Sequence, residues 1–234
     1  MTRRSEIDDR PGEDRDPERD DSSLQAGVDE AGKGPVLGSM FAACVIADPE
    51  DLPDDVGDSK GLSAERREEL ATIIRDRAVA VEVSEITVER IDDPETDMNS
   101  LTVAAHAEAL DGVVRDGLAV FLDAGDTNAV RFECRVADRI EADLDLRAEH
   151  EADETYPIVG AASIVAKVAR DAHVDALAAK YGDLGSGYPG DQTTRDFLES
   201  VLETRGDFPD CVRESWQTAR DIRATVNQAA LDDY

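Results

Sequence analysis

The chain has 234 residues, 41% of them apolar, a length that suits one large domain or one domain with an appendage. That content excludes wholesale disorder, and no apolar stretch approaches the roughly 18 to 20 residues of a bilayer-spanning helix. Fifty-five acidic against 25 basic residues leave a net charge of -30, with lysine only at positions 33, 60, 167 and 180. Acid excess, scarce lysine and 4% aromatic residues predict adaptation to molar salt, where the Debye length falls to about 3 Å and carboxylate repulsion is screened. The host is expected to be a halophile, so the net charge says little about partners. The charged N-terminal stretch lacks the apolar segment of a secretory signal. Cys44, Cys134 and Cys211 are too far apart for a disulfide framework or a CxxC clamp, and a reducing cytoplasm is the expected compartment.

Residues 1–22 hold nine acids and five arginines with Ile7 as almost the only large apolar side chain, and are expected to form a disordered tail. Residues 23–234 are expected to be the folded unit. Alternation of Leu24, Ala26 and Val28 with Gln25, Gly27 and Asp29 predicts a half-buried strand stopped by Gly32 and Gly34-Pro35. Residues 40–46 read as a more buried second strand. A loop follows over 49–61, then a helix capped by Ser63 and running to about Arg77, then a third strand over 79–86. Asn99 or Ser100 opens a helix with Leu101, Ala105, Ala109 and Val113 at i+4 spacing, ending near Gly117. A short strand over 118–122 ends at Asp123. Further on come a helix over about 134–141, a strand-like segment over 144–150 and the longest helix over 163–181. A glycine-rich loop spans 182–191, and helices near 194–204 and 213–230 close the chain. This order predicts a mixed sheet with helices on its faces.

With so many acids, a carboxylate is informative only where its surroundings are apolar. Three places qualify: Asp29-Glu30 ending the first strand, Asp123 ending the fourth, and Asp153 before the long helix. Carboxylates at neighbouring strand ends repel unless a cation lies between them, and hard oxygen donors select magnesium or manganese. Such ions activate water and stabilise a leaving oxygen in nucleases. Scattered surface acids are the competing reading. Asp29 and Glu30 point to opposite faces of a strand, so both serve one site only if the strand breaks at once or Glu30 acts through its carbonyl. Asp126 is a rival ligand to Asp123. Gly32-Lys33-Gly34 permits close backbone approach to a phosphate or sugar, although alone it reads as a turn. His106, His150 and His173 show no metal spacing and read as structural.

Five ordered segments carry a resemblance. Residues 27–38 (GVDEAGKGPVLG), 58–63 (DSKGLS), 122–124 (LDA), 148–153 (AEHEAD) continued by 161–167 (AASIVAK), and 185–189 (GSGYP) resemble the type 2 ribonucleases H, ribonuclease HII, in archaeal form. Arg213 with Ser215-Trp216 fits as well, and the resemblance covers about residues 24–220. It implies an α/β, ribonuclease H-like mixed five-stranded sheet flanked by helices, with further C-terminal helices. It also implies endonucleolytic cleavage of RNA in RNA·DNA hybrids and cutting 5′ of ribonucleotides embedded in duplex DNA, by two-metal-ion catalysis with Mn2+ or Mg2+. The metal-binding and catalytic residues so implied are Asp29, Glu30, Asp123 and Asp153. The loop Gly32, Lys33 and Gly34 would read the 2′-hydroxyl, and Tyr188 would stack near the junction sugar. Lys33 stands where the family usually has Arg, which turns a bidentate phosphate grip into a point charge. Lys60, Lys167 and Arg170 are candidate phosphate contacts, the last two alternatively flanking a buried helix stripe. A monomer without membrane contact is expected. A metal-dependent DNA-processing nuclease of the same fold and a non-enzymatic acidic binding module remain the rival readings.

Overall fold

Residues 21–58 and 61–232 are described in a computed structural model of the chain. Most of the expected tail and Lys60 lie outside the described residues; Asp21–Ser23 forms a 3-10 turn. Five strands, β1 (Gln25–Ala31), β2 (Met40–Ala47), β3 (Ala80–Ile86), β4 (Ala119–Asp123) and β5 (Asp145–Glu149), form one sheet in the order β3-β2-β1-β4-β5. The first three are antiparallel neighbours, whereas β4 runs parallel to both β1 and β5. Eight α-helices complete the described chain: α1 (Ala64–Arg77), α2 (Val88–Asp92), α3 (Met98–Leu110), α4 (Ala129–Ala137), α5 (Ala152–Thr155), α6 (Pro157–Tyr181), α7 (Gln192–Arg205) and α8 (Gln217–Asp232). Among the described residues no helix is long and apolar enough to cross a membrane.

The period-two alternation of a strand divides the core. Ala42, Cys44 and Ile46 of β2 pack with α3 and α4 on one face, while Ala43, Val45 and Ala47 pack with α1 and α6 on the other. In β1, Ala26 and Val28 face the α3 side. Gly27 faces α6 so closely that a Cβ there would stand 2.3 Å from the Ile158 carbonyl oxygen. A third cluster joins Val36 and Leu37 to α7 and α8, tying the loop after β1 to the C-terminal helices.

Helix boundaries differ from the sequence expectations where caps decide them. Asp97, rather than Asn99 or Ser100, caps α3 by accepting from Ser100 N–H, and that helix ends at Leu110. Asn128 caps α4, which starts five residues before the expected position 134. Pro157 opens α6 six residues before Ser163, a position where its missing N–H costs nothing.

Candidate active site

The register of β1 and β4 brings the acids together. Their parallel ladder ends at Val28 and Leu122, so Asp29 and Asp123 lie side by side just beyond it, while β1 stays paired with β2 to Ala31. Ladder alternation puts Asp29 on the α6 face, where Ser163 hydrogen-bonds its carboxylate. Asp123 accepts the Ala152 N–H at 2.9 Å, which ties the start of α5, and with it buried Asp153, to the end of β4. Glu30 points the other way, as the pleat requires. The strand does not break at Glu30; its side chain turns to α3, where Oε2 lies 2.8 Å from His106 Nε2.

Electrostatics separates these neighbours. Burial, reinforced by Glu30 and Asp123, holds the Asp29 carboxyl well above the usual carboxylate range. Burial also raises Asp123; the charges of Glu30 and Asp153 add to this, while the Ala152 N–H opposes it. For Glu30, burial acts upward but is outweighed by the His106 hydrogen bond and charge and by Lys33, leaving it lowered. Asp126 is not part of this set, because its buried carboxylate is taken by Arg131 at 2.5 Å and by Thr127.

Like charges converging on strand ends are the donor chemistry a hard divalent cation neutralises, so the four acids fit magnesium or manganese. As they stand, no three or more His, Cys, Asp or Glu side chains among the described residues form a ready-made metal cluster. Each of three acids has a partner of its own: Glu30 is held by His106, Asp123 by the Ala152 N–H and Asp29 by the Glu30 N–H.

A cleft of about 440 Å³ adjoins the acids, lined by Glu30, Gly32, Lys33, Gly34, Arg67, Lys167, Arg170 and Tyr188, among others. Fully buried Arg213 shapes its glycine loop, donating to the carbonyls of Gly32, Lys33 and Gly38 at 2.6, 3.0 and 2.7 Å. Trp216 Nε1 donates to Gly34 O at 3.1 Å, and the Arg213 guanidinium lies 4.9 Å from the Trp216 ring. Burial pushes the Arg213 guanidinium down to about 10. In a trans peptide the N–H opposes the C=O, so the Lys33 and Gly34 N–H groups point away from Arg213. Gly32, at φ +91, could not take a Cβ without meeting Ser39 O at 3.0 Å. Gly34 has room, since the nearest atom to an added Cβ would be Tyr188 Cε1 at 3.5 Å.

Lys33 Nζ donates to the Gly125 carbonyl, linking the loop to the segment after β4. Arg170 reaches the Ser186 carbonyl, pairs with Asp171 at 3.2 Å and lies 5.4 Å from the ring centroid of Tyr188, itself 45% exposed. Sequence reasoning missed His106 as a partner of Glu30, Arg213 as the brace of the glycine loop, and Arg67 in the cleft. A lone histidine inside the apolar stripe of α3 was the available signal for the first; the other two depend on contacts across long sequence separations.

The family model described as Ribonuclease HII matches residues 26–219. The chain belongs to the ribonuclease HII family. It is 60% identical to Ribonuclease HII of Halobacterium salinarum over 209 residues, covering 89% of this chain and 98% of the relative. Identity is also 60% to Ribonuclease HII of Haloarcula marismortui over 211 residues, covering 90% of this chain and all of that one. Among solved structures, ribonuclease H2 of Pyrococcus horikoshii OT3 superposes with a TM-score of 0.82 at 36% identity, covering 88% of this chain and 99% of the other. Family membership makes the chain a hydrolytic endonuclease of the ribonuclease H kind, and its mixed five-stranded sheet is the ribonuclease H-like fold. The halophilic relatives agree with the acid-rich composition.

Proposed function

We propose that this chain hydrolyses the RNA strand of RNA·DNA hybrids and cuts on the 5′ side of ribonucleotides embedded in duplex DNA, leaving 3′-hydroxyl and 5′-phosphate ends. The observation that carries the reading is the approach of Asp29 and Asp123 at the ends of the interior strands β1 and β4, with Asp153 tied to Asp123 through the start of α5 and Glu30 lining a cleft with Gly32, Lys33, Gly34 and Tyr188. These four acids are the residues that would hold divalent cations. Bound magnesium or manganese, a pair of ions in the two-metal reading, would supply an activated water and stabilise the departing 3′-oxygen. The protein's contribution is to fix carboxylates whose mutual repulsion is relieved on cation binding. Asp29 and Asp123, both raised by burial and by neighbouring acids, give up most on staying empty and gain most from a cation.

Selection of ribose belongs to the loop. Phosphate contacts carry no information about the sugar, so discrimination has to come from short-range groups near the 2′-position. The backbone N–H groups of Lys33 and Gly34, turned away from the Arg213 brace, suit a hydroxyl that can accept as well as donate. Tyr188, exposed beside Gly34, suits packing against the adjoining sugar. Lys33 and Lys167 suit backbone phosphates; Arg170, held by Asp171, Ser186 and Tyr188, suits holding the tyrosine in place as well. A labelled RNA·DNA hybrid and an all-DNA duplex, each incubated with Mn2+, Mg2+ or a chelator, test the proposal. Cleavage of the hybrid alone, abolished by chelator, is expected. Cleavage of the all-DNA duplex would point instead to a DNA-processing nuclease of the same fold.

A further inference from the structure

His106 carries a polar contact that its packing does not require. It lies in α3 among Leu101, Val103, Ala105, Ala109 and Leu110, on a buried face that is otherwise apolar but for Thr102. Its side chain is 0% exposed, and its ring meets Phe132 edge-on with centroids 5.0 Å apart. Nδ1 is buried without a hydrogen-bond partner. An apolar side chain would fill this place without orphaning a nitrogen, so the reason for histidine is Nε2, 2.8 Å from Glu30 Oε2. An ionised carboxylate only accepts, so Nε2 is the donor. Glu30 is confined from its other side as well. A Cβ on Gly125 would stand 3.1 Å from Glu30 Oε1 and 2.4 Å from Thr102 Cγ2, and the bare Cα there leaves Oε1 its place.

We propose that His106 is a positioning residue for Glu30, holding Oε2 so that Oε1 stays beside the segment that follows Asp123. The inference rests on the reading of the four acids as a cation site. Glu30 has a flexible side chain, and it repels Asp29 and Asp123 across the strand ends. Without an anchor that repulsion favours conformers in which Glu30 swings away, and a cation would have to bring it back on binding. His106 removes that reorganisation, as outer partners of ligating groups do.

Calorimetric titration of the substrate-free protein with Mn2+ in molar KCl tests this, with melting curves to identify folded variants. His106→Leu, close in size but without a donor, is expected to weaken Mn2+ binding by about tenfold or more, the usual cost of losing such a partner. His106→Gln, which keeps an N–H donor, is expected to stay close to wild type. In a Glu30→Gln background the leucine exchange should add nothing, because the two residues act as a unit. Should the leucine variant not fold, the unbranched His106→Met carries the same comparison. Wild-type affinity in the donor-less variant, or an undiminished loss in the Glu30→Gln background, would overturn the positioning role while leaving the cation site intact. Failure of the wild type to bind Mn2+ at all would overturn the site reading, and this inference with it.

Discussion

Asp29 and Glu30 are adjacent in sequence yet opposite in electrostatics, because the pleat sends one side chain toward other carboxylates and the other toward His106 and Lys33. This has a consequence for stability in the absence of metal. The Asp29 carboxyl is raised in the folded state above its unfolded value of 3.8. Its contribution to stability is therefore fully present below that unfolded value and is lost as pH rises through the folded one. At neutral pH in a chelator the group opposes folding, so Asp29→Asn should raise the melting temperature by a few degrees. The gain should shrink toward pH 4 and on adding Mn2+. A lower melting temperature for the variant in chelator at pH 7 would show that the carboxylate is already compensated. Asp123→Asn keeps the shape and the Ala152 N–H contact while removing a ligand charge. Its loss of hybrid cleavage should exceed the roughly 10- to 100-fold that an outer partner costs, with the circular dichroism spectrum unchanged. Full activity in that variant would remove Asp123 from the site.

At the scale of elements, α4 shows what a cap contributes. Asn128 accepts the Arg131 N–H at 2.9 Å, and Asn128→Ala should destabilise the protein by about 1 kcal/mol in denaturant titration. No change would mean that the Arg131 pairing with Asp126 holds the helix start by itself. The same helix marks a limit of sequence reading. Its expected span of 134–141 overlooked Asn128, because Asp126, Thr127 and Asn128 together look like loop. The two shortest helices, α2 and α5, have five and four residues, too few to show a period. All five strands were legible, since alternation in β1 and apolar runs in β2 and β4 leave little ambiguity. Asp29 and Asp123 were legible as candidates for a related reason: each stands where an apolar run stops. What fixes their surroundings was not. Arg213 meets carbonyls 175 to 181 residues away, and only folding brings them together. Within the loop it is Gly32 that combines a positive φ with a close neighbour, whereas Gly34 has room for a Cβ.

For the whole molecule, a net charge of -30 dominates behaviour in dilute buffer. Screening relieves that self-repulsion, so the melting temperature should climb steadily between about 0.1 and 3 M KCl. A flat or falling curve would contradict the reading of the surface as halophilic. High salt also weakens phosphate contacts through counterion effects, and substrate choice must then depend on contacts that salt does not screen. In the proposed function, Asp29, Glu30, Asp123 and Asp153 and a glycine loop braced by Arg213 together make a metal-dependent, ribose-selective endonuclease. This function is tested most directly by a duplex DNA carrying one ribonucleotide, incubated with the wild-type protein and Mn2+ in molar KCl beside an all-DNA control. A single cut on the 5′ side of the ribonucleotide and an intact control are expected; cutting of the control, or no cut at the ribonucleotide, would overturn the proposed function.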